Sequence, residues 1–375
     1  MAISRRTLLG RLGVGVAAVV AERRLTLGGA LAATNRSGEP IRLDRNENPY
    51  GPSARVMAVM RDAASAAASR YPDVEAGELR RRIAGLHRVA PEQVVLGCGS
   101  SEILRTAIDV LVGPGKKLVT SLPSFEPIGG WARRAGAEVV GVRVSRDYRH
   151  DLDAMLARID AETRLVYICN PNNPTGRLTG RRDLEVFLHK IPAACVVLMD
   201  EAYHHYAAGS PDYSSFIDRP VDDGRVIVTR TFSKIYGLAG LRVGYAVAAV
   251  PVARVLAAHT LADGVSVVAA RAAGAALDDS GHVRTSVIRN TDDRQEFLNQ
   301  ATARMLRLDS LTNFVMVDTG RPALEVLEHF RKHGILLGGP VPEFDKHIRV
   351  SLGTPAEMQE FWRVWDLTLG HKMSM

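Results

Sequence analysis

Between about Ala66 and Val250 the chain alternates short apolar runs with amphipathic ones, and this alternation constrains its fold more than any other feature. QVVLGCG (93–99) reads as a strand, and SSEILRTAIDVLV after it has helical apolar spacing. KLVTSLP (117–123) reads as a strand, GGWARRAG as a helix and AEVVGVRVS as a strand. RLVYIC ends in the turn-rich loop NPNNPTG, while AACVVLMDEAY and RVIVTRTFS read as further strands. Strands alternating with helices predict an α/β fold, with a mostly parallel sheet covered by helices on both faces. Sheets of this kind bind ligands at the carboxyl ends of their strands. After Pro251 the pattern changes to alanine-rich helical stretches, then to NFVMVDT and HIRVSLGT, each a strand followed by a helix. The expected organisation is a large domain over 66–255 and a smaller α+β domain over 256–375, with 34–65 crossing back to the latter.

Charge narrows the function classes. The formal net charge is +7, but residues 1–32 hold five arginines and one glutamate, so the rest carries only +3. No basic stripe with interleaved aromatics is visible, and nucleic acid is not an expected partner. The first residues, MAISRRTLLGRLGVGVAAVVAERRLTLGGALAAT, combine paired arginines, an apolar run from Leu12 to Ala21 and the small residues ALAA. This is the pattern of a twin-arginine export signal over 1–33, which predicts an exported, periplasmic protein; without export the protein would be cytoplasmic. The apolar run is too short for a stable membrane span. Cys98, Cys169 and Cys195 have no metal-ligand spacing, so neither a metal site nor a disulfide framework is expected.

The loops that end these strands carry one set of polar groups. GCGSSE (97–102) places Ser100 and Ser101 at the start of a helix, and NPNNPTG (170–176) places Asn173 in a proline-bracketed loop. DEAY (200–203) puts Asp200 at the end of an apolar strand, and TFSK (231–234) puts Thr231, Ser233 and Lys234 after the next, with Arg242 eight residues on. Lys234 stands out because the chain has seven lysines against forty-one arginines. An amine can lose its proton and attack a carbonyl, which a guanidinium cannot. Each group alone has a plain structural reading: a serine as a helix cap, Asn-Pro-Thr-Gly as a turn, an aspartate capping the next element.

Taken together, the order and spacing of these motifs resemble a fold-type I pyridoxal-phosphate-dependent aminotransferase of class I/II, most like the histidinol-phosphate aminotransferase group. The likeness runs over about residues 41–370 and includes DRNENPYGPS (44–53), YPD (71–73) and IRVSLGT (348–354). It implies pyridoxal 5'-phosphate as cofactor and transfer of an amino group between an amino acid, or an amine such as histidinol phosphate, and a 2-oxo acid. Lys234 matches the lysine that forms the Schiff base and moves the Cα proton, Asp200 the carboxylate facing the pyridine nitrogen, and Asn173 and Tyr203 the donors to the phenolic oxygen. Ser100, Ser101, Thr231, Ser233 and Arg242 match the phosphate cradle. Phe125 matches the aromatic that stacks on the ring, although core packing would also account for it. Tyr71 matches a tyrosine that reaches the phosphate of a neighbouring subunit, which implies a homodimer with shared sites. Arg349 matches the arginine that holds the α-carboxylate, and Tyr50 a residue that closes over the substrate.

One departure bears on the substrate. The group carries an arginine near the position where GILLGGPVPEF (334–344) has Gly338 and Gly339, and Lys346 lies several residues beyond. A phosphate-bearing substrate loses a charge partner there, so an amino-acid or amine aminotransferase of open specificity is the expectation. Alternatives on the same scaffold are a decarboxylase or carbon–sulfur lyase using Lys234, or, more remotely, a non-catalytic cofactor-binding protein. His204 and His205 receive no role.

Overall fold

The structure, a computed structural model, describes residues 39–218, 224–301 and 305–369; the signal-like segment 1–33 lies outside them. The strands are β1 (Ile41–Leu43), β2 (Val94–Cys98), β3 (Lys117–Leu122), β4 (Glu138–Arg143), β5 (Thr163–Cys169), β6 (Val196–Asp200), β7 (Val226–Thr231), β8 (Val243–Val247), β9 (Leu306–Arg307), β10 (Phe314–Asp318), β11 (Ile335–Leu337) and β12 (His347–Ser351). Seven of them form one sheet in the order β2-β8-β7-β6-β5-β3-β4. The pairs β7–β6, β6–β5, β5–β3 and β3–β4 are parallel, and β8 alone runs against its neighbours β2 and β7. β6 and β7 are buried on both faces except at Val196, as a parallel sheet covered by helices requires.

β8 was not foreseen as a strand. Only residues 232–242 separate it from β7, a connection too short for a parallel crossover, so the chain reverses and pairs antiparallel. The short parallel pair β1–β11 and the antiparallel sheet β12-β10-β9 form the second part of the molecule. Phe297, Phe330, Phe361 and Trp365 pack with Ile41, Leu43 and the β10 and β12 valines in a core separate from that of the large sheet.

The cores divide elsewhere than the expected boundary at 255/256. The alanine-rich helix Val267–Leu277 and the helix Ala54–Ala67 bury residues in the large-sheet core, where Val56, Ala269 and Ala273 lie together. The dividing element is the helix Ser280–Ala301: Val283 and Val287 pack on the large core, Phe297 and Ala301 in the small one. Of the described residues 39–65, only the β1 end joins the small core. Small alanine side chains let helix backbones approach closely, a signal of composition that apolar period does not reveal.

Candidate active site

The carboxyl ends of β2, β5, β6 and β7 and the amino end of β8 meet at one edge of the large sheet, where they border a cavity of about 700 Å³. Ser100, Ser101, Phe125, Asn173, Asp200, Tyr203, Thr231, Ser233, Lys234, Arg242 and Arg349 all line it, so the structure brings together eleven of the thirteen residues singled out from sequence. Leu337 and Gly339 from the small part complete one wall.

Lys234 follows β7, and its Nζ donates to the carbonyl oxygens of Arg45 and Asn46, each at 2.9 Å. Burial, reinforced by the charge of Arg349, lowers its pKa to about 8, against the opposing carboxylate of Glu47. Near neutrality a usable fraction of this amine is therefore unprotonated and nucleophilic.

An anion cradle lies beside it. The helix Ser100–Leu111 begins at this edge, presenting its free N–H groups and positive dipole end. Arg242 Nη1 donates to Ser233 Oγ at 3.2 Å and to the carbonyl of Ala239 at 2.9 Å. Thr231 Oγ1 accepts the Ser233 N–H at 3.0 Å. Two glycines make the close approach possible. A Cβ on Gly99 (φ +75°) would stand 2.3 Å from Arg242 Nη2, and one on Gly244 would stand 2.4 Å from the Ser100 nitrogen. Among the described residues no carboxylate pairs with Arg242, so the cradle keeps its positive charge for a ligand.

Asp200 is buried at the end of β6. Its carboxylate accepts from Tyr167 Oη at 2.9 Å, from the Ala202 N–H at 3.1 Å and from Thr229 Oγ1 at 3.4 Å. Burial raises its pKa to about 6, so a cationic partner would find it ready to ionise. Tyr203 Oη accepts from Asn46 Nδ2 at 2.9 Å, which leaves its own hydrogen to donate; burial pushes the phenol pKa well up. Asn173 Oδ1 accepts from Arg349 Nη1 at 2.7 Å, so its NH₂ is the arm left for donation. Phe125 makes an edge contact with Trp131 at 6.1 Å between centroids while also lining the cavity.

Arg349 comes from β12. Its Nη2 donates to the Asp44 carbonyl at 2.6 Å, and its buried Nε has no hydrogen-bond partner. Burial lowers its pKa, and among the described residues no carboxylate forms an ion pair with it. Gly338 bridges to Arg349, and a Cβ there would stand 2.8 Å from Nε.

Tyr50 and Tyr71 lie away from the cavity lining. Tyr50 Oη donates to Asp293 Oδ2 at 2.8 Å, with the Arg289 guanidinium 5.1 Å from its ring centroid. Tyr71 is 79% exposed. Sequence reasoning missed Arg45, Asn46 and Tyr167. The first two hold Lys234 through backbone carbonyls, which no residue type signals; the hydroxyl of Tyr167, within the apolar run of β5, was the one available hint.

These groups fit pyridoxal phosphate at four points: an amine for its aldehyde, a buried carboxylate for its pyridine nitrogen, two donors for its phenolic oxygen and the cradle for its phosphate. Gly99 and Gly244 let Arg242 and the Ser100 backbone pack this closely, since a Cβ at either would collide with them.

Comparison with known proteins agrees. Residues 39–364 match the family described as aminotransferase class I and II. A histidinol-phosphate aminotransferase 2 of Carboxydothermus hydrogenoformans is 36% identical over 326 residues, covering 85% of this chain and 88% of its own. The histidinol-phosphate aminotransferase of Akkermansia muciniphila is 38% identical, covering 84% and 86%. A solved putative histidinol-phosphate aminotransferase from Erwinia carotovora atroseptica superposes with a TM-score of 0.83 at 32% identity, over 89% of this chain and 97% of its own. The Sinorhizobium meliloti histidinol-phosphate aminotransferase, solved in complex with pyridoxal-5'-phosphate, gives 0.82 at 28% identity, over 98% and 99%. The chain therefore belongs to the class I and II aminotransferases, and is a pyridoxal-phosphate-dependent transaminase of fold type I.

Proposed function

We propose that this site moves the amino group of an α-amino acid to a 2-oxo acid, with Lys234 carrying the proton at the reacting carbon. When bound, pyridoxal phosphate supplies an aldehyde that condenses with amines and a ring that stabilises negative charge at the donor's α-carbon. Asp200 would hold the pyridine nitrogen and, as an anion, raise its basicity. Asn173 and Tyr203 would donate to the phenolic oxygen, and Phe125 would pack against the ring. Ser100, Ser101, Thr231, Ser233 and Arg242 would hold the phosphate. Lys234, with its lowered pKa, alternates between nucleophile and general base.

The observation that carries the amino-acid reading is Arg349. A half-buried guanidinium that forms no ion pair among the described residues, lining the cavity that holds Lys234, calls for an anion, and a donor's α-carboxylate matches its planar fork. Gly338 and Gly339 argue against a phosphate-bearing amine such as histidinol phosphate, for which the relatives are named. A donor screen tests this, read from loss of the cofactor's visible band in purified holoenzyme. Amino acids are expected to bleach the band faster than histidinol phosphate, and a 2-oxo acid to restore it. Carbon dioxide or pyruvate released without amino transfer would overturn the reading.

Tyr71, exposed on the single chain, suits a homodimer in which it reaches the partner's phosphate cradle; a monomer mass by sedimentation equilibrium would remove that reading. Residues 1–33 would act as a twin-arginine-type export signal, passing the folded protein to the periplasm. Mature protein found only in the cytosol with these residues intact would contradict export.

A further inference from the structure

The reading above assigns Asp200 to the cofactor's ring nitrogen, and the inference here rests on that reading. Beside Asp200, β5 and β6 run parallel, with Cys169 in register with Asp200 and Tyr167 with Leu198. Tyr167 stands behind Asp200, outside the cavity lining. It is fully buried in an apolar cluster with Leu104, Ile108, Leu198 and Ile227. Its hydroxyl donates to Asp200 Oδ2 at 2.9 Å. The Cys169 thiol also faces the phenol, but it donates to the Pro171 carbonyl at 3.3 Å, and sulfur is a weak acceptor. A hydroxyl enclosed in this way cannot turn to another partner without losing its bond outright. Burial and the charge of Asp200 push the phenol pKa well up, so the proton stays on Tyr167 and is donated.

The other donors to this carboxylate are longer, the Ala202 N–H at 3.1 Å and Thr229 Oγ1 at 3.4 Å, both on Oδ1. Further titratable groups face it. Glu201, the next residue, disfavours a second anion, but Arg230 pairs with it at 3.0 Å. Lys234, after β7, attracts the anion, and Tyr203 is a neutral phenol. Burial is the largest influence on Asp200 and works against ionisation. The Tyr167 bond is the largest that works for it.

We propose that Tyr167 is a positioning residue that fixes where one proton rests between Asp200 and the ring nitrogen of bound pyridoxal phosphate. A proton shared by a carboxylate and a pyridine lies either on nitrogen, as an ion pair, or on oxygen, as a neutral pair. A buried site favours the neutral pair, because separated charges are poorly solvated there. The Tyr167 hydroxyl opposes this. It donates more strongly to a carboxylate than to a protonated acid, so it stabilises the ion pair and holds the proton on nitrogen. A protonated ring nitrogen draws electrons better, so Tyr167 supports the reaction without touching the reacting atoms.

The test uses holoenzyme of the full chain, loaded with pyridoxal phosphate that carries nitrogen-15 in its ring. The nitrogen-15 NMR shift separates protonated from unprotonated pyridine and is read at neutral pH in wild type, Tyr167→Phe and Thr229→Val. Phenylalanine keeps the ring that packs in the apolar cluster. Wild type should give a signal near the protonated limit. Tyr167→Phe is expected to move the proton equilibrium toward Asp200 about tenfold, the scale of one hydrogen bond to a charged group. It should also lower kcat for amino transfer with little change in the donor's KM, and Thr229→Val should move the signal less. If Tyr167→Phe does not hold cofactor, a ring-fluorinated tyrosine at 167, a stronger donor of the same shape, decides instead. A signal further toward the protonated limit supports the assignment, and an unchanged one overturns it. An unchanged signal in Tyr167→Phe, or an unprotonated ring in wild type, would overturn it as well, even with amino transfer intact. A Tyr167-dependent signal in a protein that transfers no amino group from any donor would support the assignment and overturn the functional reading instead.

Discussion

At Lys234 the amine sits between the carbonyls of Arg45 and Asn46, while Arg349 and Arg242 contribute positive charge and Glu47 and Asp200 negative. Burial is the largest influence and favours the neutral form, placing the pKa at about 8 instead of near 10.5. The amine is therefore mostly protonated below pH 8 and mostly neutral above it. The second-order rate of cofactor capture by cofactor-free protein should rise with pH through a midpoint near 8 and then level off. Arg349→Gln removes a cation and should move that midpoint upward. A midpoint above 10 in wild type, measured by stopped-flow absorbance, would contradict this account of the site. Lys234, Asp200 and Asn173 were legible in the sequence because each is a distinctive residue type at a strand end of an α/β sheet. Arg45 and Asn46 were not, because what they give Lys234 is a backbone carbonyl that any residue has. Tyr50 was read from its motif, yet its hydroxyl is engaged by Asp293, a partner 243 residues away that no local pattern announces.

The strand ends stay in place because of what is buried beneath them. Next to Asp200, Glu201 accepts from Ser215 Oγ at 2.6 Å, from the Phe216 N–H at 2.8 Å and from Arg230 Nε at 3.1 Å. Arg230, one residue before Thr231 on β7, also donates to Ser215 Oγ at 2.6 Å and pairs with Asp218 at 3.2 Å. The Arg230 and Glu201 side chains are 6% and 2% exposed, so removing either leaves an unpaired charge in the interior. Arg230→Met should cost about 3–5 kcal/mol of stability, seen as a lower midpoint in urea denaturation. Asp218→Asn should cost far less, since Asp218 is half exposed; equal effects of the two would contradict this ranking. At this scale the parallel strands were legible from their apolar runs. β8 was not, because its reversal is dictated by the shortness of 232–242 and not by its own residues. The helix Val267–Leu277 was placed with the wrong core because alanine-rich faces carry little directional pattern.

Across the whole molecule, two cores meet around one cavity. The large sheet brings Asp200, Lys234 and the anion cradle, and the small part brings Arg349, Leu337 and Gly339. β1 and the residues after it connect the two, with Asp44 and Asn46 bonded to Arg349 and Ser351 on one side and Tyr203 on the other. On the proposed reading, cofactor chemistry would sit on one body and carboxylate recognition on the other. The central claim is amino transfer dependent on Lys234, and nitrogen-15 tracing tests it most directly. Holoenzyme supplied with a labelled amino acid and an unlabelled 2-oxo acid should yield the labelled amino acid of the acceptor, and Lys234→Ala should yield none. Label retained on the donor or released as ammonia, or transfer persisting in Lys234→Ala, would contradict it.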